Sequence, residues 1–92
     1  MYKLKVELPE DLECLVMATL TTRQGFILCS NLCAKAGELI DWEMGIGWDL
    51  NNCNLNIRGA CIEPFTMRVG KKFFWDREIY IRPYLREVVE DG

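Results

Sequence analysis

Short runs in which apolar and polar side chains alternate one by one, each cut off by glycine or proline, constrain this chain more than any other feature. Residues 2 to 8 show it best: Tyr2, Leu4, Val6 and Leu8 point one way and Lys3, Lys5 and Glu7 the other, the pattern of a strand with one wet face. Pro9 stops the run and can open a short helix, with Glu10 and Asp11 in a first turn where the helix dipole favours acids. The β-branched stretch Leu15 to Thr22 leads through Arg23-Gln24-Gly25 into Phe26-Ile27-Leu28-Cys29, which reads as strand, glycine turn, strand.

The second half repeats the two-residue period. Cys53, Leu55 and Ile57 alternate with Asn52, Asn54, Asn56 and Arg58, giving a strand with an uncharged polar face that Gly59 ends. Cys61-Ile62 start another, and Pro64 places its neighbourhood at an edge or in a bulge. Phe65, Met67 and Val69 alternate with Thr66 and Arg68, Gly70-Lys71-Lys72 turn the chain, and Phe73-Phe74-Trp75 resume the sheet. Asp76-Arg77 then turn into Glu78-Ile79-Tyr80-Ile81-Arg82, so this half reads as a meander.

Between residues 31 and 42 the period changes. Leu32, Cys33, Ala36, Leu39 and Ile40 fall on one helical stripe, and Ser30 or Asn31 can cap it. Gly37 inside such a helix costs about 1 kcal/mol relative to alanine, and continuing the period would bury Glu43, so the helix ends near Trp42. A chain of 92 residues supports one core. The expected architecture is a single α+β domain over residues 1–92: a curved antiparallel sheet of five to seven short strands with one α-helix, about residues 31 to 42, packed on it. Such a sheet leaves edges, which a second copy or another protein's strand can cover, so a homodimer is a reasonable expectation.

No apolar run approaches the roughly 18 residues of a membrane span. The amino terminus alternates where a signal peptide would show a basic patch and an apolar core, so a cytoplasmic location is expected. In that setting Cys14, Cys29, Cys33, Cys53 and Cys61, odd in number, read as reduced thiols acting as small core residues. Cys29-x3-Cys33 and Cys53-x7-Cys61 lack the tight knuckles of a zinc ribbon, so no metal site is expected. Gly45-Ile46-Gly47 lacks the third glycine and lysine of a phosphate loop and reads as a turn. No cofactor is expected.

Histidine is absent, which removes the usual general base, triad partner and commonest metal ligand. The leading expectation is therefore a non-enzymatic protein-binding module, of the kind used as a small inhibitor, regulator, immunity or phage accessory protein. Trp42 and Trp48 flank Glu43 in an acidic, glycine-containing segment, and tryptophan anchors interfaces while acids steer basic partners. Trp42, Glu43, Trp48 and Asp49 are the candidate contact residues, for a partner with a basic surface.

Charge also segregates. Residues 66 to 86 carry six basic and two acidic side chains, in a chain whose overall charge is -3. Arg68, Lys71, Lys72, Trp75 and Arg77 in that basic aromatic segment fit the alternative of a single-stranded nucleic-acid binder, which an isoelectric point near 4.9 opposes. A small-molecule binder or minimal enzyme is the second alternative, with Glu43 its one candidate group.

Overall fold

A computed structural model describes residues 2–44, 52–70 and 78–88. Seven strands run along it: β1 (Tyr2–Glu7), β2 (Val16–Thr22), β3 (Ile27–Ala34), β4 (Leu39–Met44), β5 (Cys53–Gly59), β6 (Ile62–Val69) and β7 (Glu78–Ile81). They form two sheets, one in the order β4-β1-β7 and one in the order β3-β2-β5-β6. All pairings are antiparallel except β1 with β7, which run parallel.

The alternation seen in the sequence builds the interior. Leu4 and Val6 of β1 and Ile40 of β4 face Val16, Ala18 and Leu20 of β2 and Leu55 and Ile57 of β5 in one buried cluster. The two sheets thus sandwich a single core, each offering its outer face to water. No polar or charged residue is buried among those described, as expected when the two-residue period of strands such as β1, β2 and β5 sends their polar side chains outward.

The α+β expectation is corrected: the described residues contain no helix, and 31 to 42 are strand, turn and strand. The misleading period has a local cause. β3 slips register against β2 twice, near Leu28 and near Leu32–Cys33, so its apolar residues no longer alternate and mimic helical spacing. Gly37 has φ +74, a left-handed conformation natural to glycine. It lies in the β3–β4 turn, where the Glu38 amide donates to the Lys35 carbonyl at 3.1 Å and the Gly37 amide to the Pro9 carbonyl at 3.0 Å. Pro9 likewise opens no helix; Glu10 and Asp11 form a turn.

The meander is also corrected. β5 and β6 form the expected hairpin, but β7 leaves them for the other sheet and pairs with β1, so β1 is flanked on both sides. Pro64 sits as read: β6 is an edge strand, and its register against β5 shifts between Ile62 and Phe65.

The reading of all five cysteines as reduced thiols fails for two of them. Cys14 and Cys61 are joined by a disulfide, with their Cα atoms 5.9 Å apart and a sequence separation of 47. The bond ties the β1–β2 connection to the β5–β6 turn. The C-terminal segment joins the same corner: the Val88 amide donates to the Cys61 carbonyl at 3.0 Å and the Glu63 amide to the Arg86 carbonyl at 2.8 Å. Cys29 and Cys33 are free thiols, half-buried and exposed respectively.

Candidate functional site

The sandwich has two outer faces of opposite character, and that contrast locates the candidate site. On the three-stranded sheet, β1 sends Lys3, Lys5 and Glu7 outward between Asp41 and Glu43 of β4 and Glu78 and Tyr80 of β7. Charges there pair within the chain. Lys3 Nζ lies 3.5 Å from Glu43 Oε1, Lys5 Nζ 3.2 Å from Glu78 Oε1, and Arg82 Nε 2.6 Å from Glu7 Oε2. The Tyr80 hydroxyl donates to Glu7, and the Arg82 guanidinium lies 5.3 Å from the Tyr80 ring centroid. The hydrogen bond and charge of Glu78 raise the Lys5 pKa, with Asp41 adding to it. The hydrogen bond to Tyr80 and the charge of Glu7 do the same for Arg82. Each exposed pair stabilises the fold little, but together they engage most of the charges named on this face.

The outer face of the four-stranded sheet carries no carboxylate on its central strands. β2 presents Met17, Thr19 and Thr21, and β5 presents Asn54, Asn56 and Arg58 beside them. Asn56 knits the floor together: its Nδ2 donates to Thr21 Oγ1 at 3.0 Å, while Thr66 Oγ1 donates to its Oδ1 at 3.1 Å. Fixed in this way, the amide gives the surface a set shape. Along one side stand Ile27 and Leu32 of β3, 65% and 68% exposed. A shallow depression of about 430 Å³ runs between these apolar walls, past Met17, to Arg58. Apolar side chains exposed together beside a polar floor mark interaction surfaces.

Of the residues expected to bind a partner, Trp42 and Glu43 fall among those described, and they lie on opposite faces of β4. Trp42 pairs with Leu4 across the β1–β4 ladder and packs half-buried against the core. Glu43 points the other way and is engaged by Lys3. Trp48 and Asp49 lie outside the described residues, as do Lys71, Lys72, Trp75 and Arg77 of the nucleic-acid alternative, and Arg68 sits exposed on β6. Glu43 is exposed on the outward side of β4. Among the described residues no three histidine, cysteine, aspartate or glutamate side chains converge as metal ligands, and no helix is long and apolar enough to cross a membrane.

Sequence reasoning missed Met17, Ile27, Leu32 and Arg58. The signal that marks them is an outward position in a strand occupied by a large apolar residue, visible for Met17 once Val16, Ala18 and Leu20 are taken as the buried set. For Ile27 and Leu32 the bulges of β3 hide it. No protein-family model, curated protein or solved structure matches the chain.

Proposed function

We propose that this chain is a non-enzymatic protein-binding module whose recognition surface is the outer face of the four-stranded sheet. One observation carries the reading: Met17, Ile27 and Leu32 stand exposed around a hydrogen-bonded polar floor, while the opposite face has paired its charges. Packing such apolar side chains against a partner removes them from water at about 25 cal/mol per Å². Arg58, on a floor without a carboxylate, favours an acidic or neutral partner surface over the basic one expected from Glu43 and Asp49.

A cytoplasmic location belongs to the proposal as well, and the Cys14–Cys61 bond weighs against it, because cytosolic thiol pools keep such pairs reduced.

The test compares capture of a host partner by the wild-type chain and by folded surface variants. Met17→Lys and Arg58→Glu should each abolish capture, whereas Lys3→Ala on the opposite face should leave it intact. Trp42→Ala, half-buried against the core, should lower stability by about 2 kcal/mol. Retention of the partner by both Met17→Lys and Arg58→Glu, with loss on Lys3→Ala, would reject the assignment.

A further inference from the structure

Four strands lie at the edges of the two sheets, and three of them are guarded. β4 carries Asp41 and Glu43, and β7 begins with Glu78. β6 contains Glu63 and Pro64 and is covered in part by the C-terminal segment through the bridge of Ile62 with Glu87. Charges, proline and covering segments are the devices by which edge strands avoid pairing with other chains. β3 has none of these three, and only its two bulges blunt it. Its eight residues, Ile-Leu-Cys-Ser-Asn-Leu-Cys-Ala, include neither charge nor proline, and among the described residues β2 is its sole strand partner. Within the strand the Cys33 amide donates to Asn31 Oδ1 at 3.2 Å, and Asn31 Nδ2 donates to Glu38 Oε2.

We infer that β3 is a homodimer edge, pairing antiparallel with β3 of a second copy across a two-fold axis near Ser30 and Asn31. The inference goes beyond the recognition face, because it concerns the rim of the sheet and not its floor. Three observations favour a second copy as the occupant. An uncharged strand is the one edge at which a chain of net charge -3 meets itself without like charges opposed along the ladder. Antiparallel pairing of a strand with itself is self-complementary, as a two-fold interface requires. Lastly, centring the axis on the strand brings the turn bearing Arg23 of one copy toward the turn bearing Glu38 of the other, twice by symmetry. Arg23 is exposed, and Glu38 holds Asn31 Nδ2 at 2.8 Å, which fixes it beside the strand.

The bulges limit the regular ladder to Cys29–Asn31, so backbone pairing alone is short. Phe26, 70% exposed, lies beside the seam and loses water when it closes. The dimer therefore joins two four-stranded sheets into one of eight strands, with two copies of the recognition face side by side.

Sedimentation equilibrium of the full chain through the micromolar range tests this. A reversible monomer–dimer equilibrium is expected. Ser30→Lys, which sets two ammonium groups beside the axis on an exposed position, should weaken it at least about tenfold. Arg23→Glu and Glu38→Arg should each weaken it, and the double swap should restore it. Circular dichroism and hydrogen exchange of β2 confirm that each variant is folded. A wild-type chain that stays monomeric overturns the inference, as does a dimer indifferent to Ser30→Lys, or a double swap that fails to restore association. The recognition face stands or falls separately, since its readout is capture of a different protein by Met17 and Arg58 variants.

Discussion

Gly59 has no room for a side chain. A Cβ placed there would lie 2.8 Å from Val16 Cγ1 and 3.2 Å from the Leu15 carbonyl oxygen, with Cys14 Sγ at 3.4 Å. The position ends β5 opposite Val16 and sits under the disulfide, so two strands approach more closely than any larger residue allows. Gly59→Ala should destabilise the fold by about 2 kcal/mol through overpacking, read as a lowered midpoint in urea denaturation. The sequence marks this glycine as the end of a strand, which it is, but the close approach that requires it depends on a partner forty residues away and leaves no local trace. Trp42 teaches the converse. Its setting between acids suggests an interface anchor, yet the alternation Ile40, Trp42, Met44 already places it on the inward side.

At the scale of elements, local chemistry and long-range pairing part company. β1 was legible because Lys3, Lys5 and Glu7 alternate with a clean apolar set, and β5 because Asn54, Asn56 and Arg58 mark its wet side. Residues 31 to 42 were not: two bulges in β3 and a tight turn at Gly37 reproduce helical spacing without a helix. Nor does any local feature tell β7 to join β1 in parallel, since that choice is made between sheets.

The disulfide is another such long-range element. Its cross-link spans 47 residues, and closing a loop of that size should contribute about 2–4 kcal/mol; the Cys14→Ala/Cys61→Ala double variant should lose that amount in urea denaturation. Alkylation of the folded chain followed by mass spectrometry gives an independent check. Cys33, exposed, should label first. Cys29 should follow slowly, because burial pushes its thiol pKa up and leaves less thiolate at neutral pH. Cys14 and Cys61 should label only after reduction, and full labelling without reductant would refute the bond.

At the scale of the molecule, the two outer faces differ in what they leave exposed. The three-stranded face holds ion pairs within the chain and also exposes Leu39 and Tyr80, singly and beside charges. The four-stranded face leaves apolar side chains and Arg58 available, and its rim at β3 extends the same surface toward a second copy. Histidine's absence and the lack of a cofactor fingerprint pointed toward binding, but they carry no address; the address comes from which strand faces remain unpaired after folding.

Hydrogen–deuterium exchange of the chain alone and with its captured partner, followed peptide by peptide at a fixed chain concentration, decides between the two faces most directly. Slowed exchange in β2 and β5, with β1 and β4 unchanged, is the expected result. Slowed exchange confined to Leu39–Met44 and its β1 neighbour, with β2 and β5 unaffected, would contradict it.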